Sequence, residues 1–294
     1  MSFQMTEDEI KLLSDYVRDN CGLLVHSPQE ILFQRRVKKR VDANKLTTAR
    51  DYYHFLRFDS KGTEEMRELI NILTVNETYF FREAPHMEMF ASELLPILKE
   101  RNYDHKSIRI WSAACSNGSE PYSLAILMLE SGLFPSSGWK IEITGTDINS
   151  EMVRSARKGM FTSSAFRTTP PEILEKYFTE VEKGCWEIAD RVRKMVTFSQ
   201  INFFNAAQMR LMREMDVIFC RNVLIYFDET GKKRVVEMLY DSLKPLGYLV
   251  IGQTESLFKI STLYDIVPAG NAILYQKQGA TNGVAGSADY KYGG

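Results

Sequence analysis

Asp147 stands 29 residues after Gly118, and Gly118 lies in a turn of small residues, Ala113 to Ser119. The turn follows an apolar run, Ile108, Ile110 and Trp111, and precedes Tyr122, Leu124, Ala125, Leu127 and Met128 at helical spacing. Strand, tight turn and helix in this order either set main-chain N–H groups and a helix start against a ligand or make an ordinary strand-to-helix turn of an α/β protein. Only Gly118 is present of the three glycines in a dinucleotide fingerprint, so a pyrophosphate is an unsuitable guest. An acid placed one strand–helix unit later, as Asp147 is, takes ribose hydroxyls in nucleoside-binding sheets; taken alone it also reads as a helix cap. Arg221 and Asn222 end a third apolar run, DVIFC (216–220), at the sheet end where ligands bind. A last polar set, Asn76, Thr78 and Arg82, is set among Tyr79, Phe80 and Phe81 in TVNETYFFRE. That stretch reads either as an aromatic hinge between domains or as part of the site.

These groups must be positioned by a chain of 294 residues, 44% hydrophobic and 26% charged, enough for one large or two moderate domains. A net charge of −1 gives no global field for nucleic acid, so a charged partner must be met by a local patch. Cys21, Cys115, Cys185 and Cys220 lack CxxC spacing, which argues against a zinc site or a disulfide framework and for a reducing compartment. MSFQMTEDEI has no cationic start followed by an apolar block, and no window approaches the roughly 18 apolar residues of a membrane span. A cytoplasmic protein is expected.

Residues 1 to about 90 carry helix signals. Thr6 with Glu9 and Ser27 with Glu30 fit capping boxes, and Pro28 suits a first helical position. In the second helix Phe33, Val37 and Val41 recur every four residues; Arg35, Lys38 and Lys39 project opposite, with Arg36 and Arg40 at the margin. This cationic face is either simply solvated or a dock for an acidic protein helix. Further helices are expected over 64–73 and 87–99. From Ile108 strands and helices alternate, as in a parallel sheet with crossovers: strands at 140–144, 216–220, 247–252 and 271–276, helices at 150–158 and 231–243. Between 159 and 198 the alternation lapses. A short helix at 171–178 and paired strands at 185–189 and 192–198 suggest an insertion, and 195–201 also reads as another edge of the main sheet. The Gly, Ala and Ser-rich tail, 279–294, is expected to be disordered.

TVNETYFFRE, WSAACSNGSEPYSLA, TGTDIN, IFCRNVLIYF and GYLVIGQTESL, in this order and spacing, resemble the CheR-type chemoreceptor glutamate methyltransferases of bacterial chemotaxis over residues 5 to 277. The resemblance implies a Rossmann-like class I methyltransferase sheet of seven strands, the last antiparallel, with an N-terminal all-α domain and a small inserted antiparallel β-subdomain. It divides the chain into a helical receptor-docking domain (1–75), a linker contributing to the site (76–90), an S-adenosyl-L-methionine-binding domain (91–278, insertion about 159–200) and the tail.

By motif matching, Asn76, Thr78, Arg82, Glu120, Asp147, Asn202, Phe203, Arg221 and Asn222 would hold the cofactor, with S-adenosyl-L-homocysteine as product and no metal. Arg82 and Tyr226 would orient the incoming carboxylate, and Arg35, Lys38 and Lys39 would dock the receptor. The partner implied is the cytoplasmic helical domain of methyl-accepting chemoreceptors, met by a monomer without nucleic acid or membrane insertion. The short connection 180–186 leans against tethering to a receptor tail. A nucleic-acid methyltransferase would need an Asn-Pro-Pro-aromatic run, which is missing, and a binding module without activity would need a broken pocket, whereas every matched position is filled.

Overall fold

The computed structural model describes residues 5–25, 29–135 and 138–279. Four helices come first: α1 (Glu7–Cys21), α2 (Glu30–Ala43), α3 (Ala49–Phe58) and α4 (Gly62–Leu73). Thr6 closes the expected capping box with Glu9. The second box lies partly outside the described residues, at Ser27 and Pro28; α2 begins after Gln29, which makes no side-chain cap. Phe33, Val37 and Val41 bury against Leu13, Val17, Tyr52, Leu56 and Leu69, as the four-residue spacing requires. A linker then leads into a helical segment, 84–101, that starts earlier than expected and carries Pro85 in its first turn. It widens to a π-turn at Phe90–Leu94, where Pro96 lacks the N–H that would bond back to Ser92.

Ten strands follow: β1 (Ser107–Ala113), β2 (Lys140–Asp147), β3 (Met160–Thr162), β4 (Phe178–Glu182), β5 (Cys185–Ile188), β6 (Val196–Gln200), β7 (Met215–Cys220), β8 (Leu243–Ile251), β9 (Tyr264–Ala269) and β10 (Ala272–Lys277). Seven form one sheet in the order β6-β2-β1-β7-β8-β10-β9, in which β10 alone runs antiparallel to the rest. Alternation sends Ile108 and Ile110 of β1 into the core on one face and Trp111 and Ala113 into the core on the other. Together with the four N-terminal helices and a second, antiparallel sheet, β3-β5-β4, this is the architecture that the resemblance implies.

Two strand readings need correction. Residues 192–198 do not pair with 185–189: β5 lies between β3 and β4, residues 190–193 form a helical turn, and β6 joins the main sheet parallel to β2. Val196 and Phe198 are buried there, with the Phe198 ring edge-on to Tyr122 and close against Gly145 of β2. Strand β9 is not among the expected strands; Pro268 within it is tolerated because β9 is the sheet edge. The β4–β5 connection is a two-residue turn at Lys183 and Gly184. Of the tail expected to be disordered, 280–294 lies outside the described residues.

Candidate functional site

The loop after β1 takes the left-handed backbone at Ala114 (φ 60°), Ser116 (φ 51°) and Gly118 (φ 87°). Strain of this kind persists only where surroundings enforce it. Cys115 N–H donates to the Thr146 carbonyl (2.8 Å) and Ser116 N–H to Asp147 Oδ2 (2.7 Å), which lash the loop to the end of β2. Gly118 has no room for a side chain: a Cβ would lie 2.9 Å from that of Ala156. Asp147 is not the cap of the next helix, Ser150–Lys158. Asn149 is, accepting from Glu151 and Met152 N–H, and it also donates its own N–H to Asp147 Oδ1 (2.8 Å). Burial pushes the Asp147 carboxyl above the ordinary range, against the pull of the Asn149, Ser116 and Ile148 N–H groups.

At the end of β7 the Arg221 side chain is only 2% exposed and fully engaged. Its Nη1 reaches Glu120 Oε2 (2.8 Å), its Nη2 reaches Glu83 Oε2 (2.9 Å) and the Arg82 carbonyl (2.6 Å). Glu120 also accepts from Ser112 Oγ (2.7 Å). Asn222, itself left-handed at φ 57°, donates Nδ2 to Glu83 Oε1 (3.0 Å). Burial alone would raise the Glu83 carboxyl; His86, Arg221 and Asn222 outweigh it and hold it well below the ordinary range. Two carboxylates thus hold the one guanidinium from opposite ends. Glu255 accepts from the N–H groups of Asn222 (2.9 Å), Leu224 (2.9 Å) and Gly252 (2.7 Å), and so fastens the loop that carries Tyr226.

All ten residues expected to hold cofactor or orient substrate line one cavity of about 420 Å³, a size usual for small-molecule and cofactor pockets. Asn76 and Thr78 make no side-chain hydrogen bond to another described residue. Arg82 donates to the Glu77 carbonyl (2.7 Å), lies 5.8 Å from the Tyr79 ring centre, and makes no ion pair among the described residues. Burial raises the Tyr226 hydroxyl pKa, which Arg82 opposes. Asn202 spends one N–H on the Asn20 carbonyl (2.7 Å) and accepts from Phe204 N–H (2.9 Å), keeping one donor and one acceptor in reserve. Buried Phe203 packs edge-on to Trp111. Ser116 Oγ is buried in the cavity wall with no hydrogen-bond partner among the described residues. Burial pushes the Cys21 thiol up to about 12 and that of Cys115 well above its usual value, so these wall thiols are not nucleophiles at neutral pH.

Residue types and spacing had not singled out Glu83, His86, Ser112, Ser116 or Glu255. Glu83 and Glu255 lay inside quoted motifs, as acids close to apolar runs, a signal for buried carboxylates. The wall supplied by Leu23, Leu24 and Val25 was also unforeseen. Leu24 N–H donates to the Tyr226 carbonyl (2.9 Å), and Gly22 (φ 77°) sits so close that a Cβ would fall 2.2 Å from the Phe204 ring. On α2, Arg36 donates to the Leu73 carbonyl and Arg40 pairs with Glu65, so these margin arginines hold the helical domain together. Arg35 and Lys39 are exposed; Lys38 is half-buried and meets Asp42 at 2.5 Å.

The model of the CheR methyltransferase, SAM binding domain, matches residues 76–273, and that of the CheR methyltransferase, all-alpha domain, residues 8–74. The chain is 35% identical over 263 residues to chemotaxis protein methyltransferase 2 of Vibrio cholerae, covering 89% of this chain and 90% of that one. It is 31% identical over 271 residues to a chemotaxis protein methyltransferase of Borreliella burgdorferi, covering 92% and 95%. No helix among the described residues is long and apolar enough to cross a membrane. Matched along both its structural units, the chain belongs to the CheR family of S-adenosyl-L-methionine-dependent chemotaxis protein methyltransferases.

Proposed function

We propose that this methyltransferase esterifies glutamate side chains on the cytoplasmic helices of chemoreceptors. Arg82 carries the proposal: a guanidinium without an ion-pair partner among the described residues, in the wall of the cavity that Tyr226 also lines, calls for an anionic substrate group. The cavity suits the cofactor. Asp147 has about two of its four lone-pair sites left for a ribose diol, and the orphaned Ser116 hydroxyl awaits a polar partner. Asn202 keeps a donor and an acceptor for an adenine edge beside Phe203, and the Glu120 carboxylate, with Arg221 and Asn222 on the same wall, complements a cationic methionine end. Asn76 and Thr78 have uncommitted polar groups on the linker wall.

When bound, S-adenosyl-L-methionine supplies an electrophilic methyl on a sulfonium. A solvated glutamate, with a pKa near 4.3, is already ionised at neutral pH, so no general base is needed and alignment is the main task left to the protein. Arg82 positions the carboxylate without fully neutralising it, and the Tyr226 hydroxyl, kept protonated, donates to one oxygen. We assign residues 1–75 to receptor docking through Arg35, Lys38 and Lys39, 76–90 to the linker and 91–278 to catalysis. The test is transfer of labelled methyl from the cofactor to receptor-containing membranes, followed by mild alkali. Release of the label as methanol supports the ester; alkali-stable label overturns it.

A further inference from the structure

Tyr79 carries two guanidinium groups. Arg82 lies 5.8 Å from its ring centre and Arg167 only 4.3 Å, so the two cations are at most about 10 Å apart. Arg167 comes from the inserted subdomain, just after the 3-10 turn Ser163–Phe166, and reaches over to the linker. The linker is pinned beneath it. Phe80 is fully buried against Phe161, Phe166 and Phe178, Phe80 N–H donates to the Ala165 carbonyl (2.9 Å), and Thr168 Oγ1 donates to the Phe80 carbonyl (2.8 Å). The backbone that carries Arg167 is therefore held beside the linker by a packed core.

Among the described residues the one carboxylate that meets Arg167 is Glu77, through a single 3.3 Å contact, with side chains 49% and 63% exposed. A pair so wet is weak and readily exchanged. Arg82 takes the Glu77 carbonyl and not its carboxylate, so Glu77 neutralises one of the two cations at most. Two cations sharing one ring beside a single exposed acid leave room for a second anion.

We infer that Arg167 is a specificity-determining residue for the methylation reaction, which binds a second carboxylate of the substrate close to the methyl acceptor, and that the Glu77 carboxylate holds that place until substrate arrives. This rests on the carboxylate-methylation reading. Side chains one helical turn apart, with Cβ atoms about 5–6 Å from each other, can deliver two carboxylates to cations at this spacing. The preferred substrate is thus an acidic helix with paired acids, and not an isolated glutamate. Tyr79 offers both guanidiniums a cation–π contact, the closer one to Arg167.

The test measures methyl-ester formation on a soluble chemoreceptor cytoplasmic fragment at low ionic strength, with cofactor affinity read separately by calorimetry. Arg167→Ala should raise the KM for the fragment about two- to fivefold, the range an exposed ion pair supports, with kcat and cofactor Kd unchanged. Arg167→Lys should recover part of the loss. Glu77→Gln should lower the KM, and should lose that effect in the Arg167→Ala background. If Arg167 merely latches the subdomain to the linker, Glu77→Gln and Arg167→Ala will act in the same direction, and the inference fails. An unchanged KM in Arg167→Ala, with wild type forming alkali-labile ester, also overturns it while leaving the parent reading intact. If wild type forms no ester on the fragment, both fall together.

Discussion

Replacing Asp147 with Asn keeps the size of the side chain and removes its charge. Asp147 lies at the end of β2, buried, with Ser116 N–H at 2.7 Å and Asn149 N–H at 2.8 Å on its two oxygens. Both neighbours are donors, so the amide nitrogen of Asn must face one of them and leave a buried N–H unpaired, costing roughly 1–3 kcal/mol of stability. A ribose diol then finds a neutral oxygen in place of a carboxylate. Hydrogen bonds to charged groups are worth about 1.5–3 kcal/mol against about 1 for neutral ones, so two such bonds lose roughly 2–3 kcal/mol, or about 30- to 150-fold in Kd. Calorimetry with S-adenosylhomocysteine, alongside thermal melting, separates the two effects. The pH dependence gives a second check. Burial raises the Asp147 pKa, and the diol favours the ionised form, so binding releases a proton wherever the group is partly protonated. Wild-type affinity should therefore begin to fall at a pH above the ordinary aspartate value of about 4, while Asp147→Asn stays flat. A folded variant with wild-type Kd would refute the ribose role and leave Asp147 as a brace for the loop after β1.

Tyr226→Phe should lower turnover by more than it changes cofactor Kd, because the hydroxyl is assigned to the reacting carboxylate; single-turnover kinetics decide, and unchanged turnover removes Tyr226 from the reaction. Glu83→Gln leaves buried Arg221 short of one charge and should cost about 3 kcal/mol in denaturant unfolding, the lower end for breaking a buried pair. Since the Glu83 carboxyl is held low in the folded state, its contribution is complete above its unfolded value of about 4.3 and is lost as pH falls towards the folded value. The gap between wild type and variant should hence close in acid, and a gap independent of pH would show that charge is not its source. Replacing Arg35, Lys38 and Lys39 together with Ala should leave melting and cofactor affinity nearly unchanged, raise the KM for receptor several-fold at low salt, and converge with wild type as salt rises. Normal methylation by that variant at low salt would identify the face as simply solvated.

The change of hydrophobic period at Ile108 made the strand–turn–helix and the place of Asp147 legible from residue types alone, and the apolar run 216–220 did the same for Arg221 and Asn222. What stayed hidden depends on partners remote in sequence. Glu83 is 138 residues from Arg221, and Asn20 lies 182 from Asn202, so neither the charge cluster nor the wall built by the helical domain leaves a local pattern. Strand β9 leaves no clear pattern because, at the sheet edge, it can hold Pro268 and expose Ile266. Motif order supplied what local pattern could not, since it placed Arg82 and Tyr226 in one site and both do line one cavity.

Carboxylate methylation is tested most directly by mapping the product. A chemoreceptor cytoplasmic fragment, incubated with enzyme and labelled S-adenosyl-L-methionine, should carry single methyl groups on glutamate side chains, each removed by mild alkali with release of methanol. Methyl groups found on lysine, arginine or a backbone terminus and stable to alkali would contradict it.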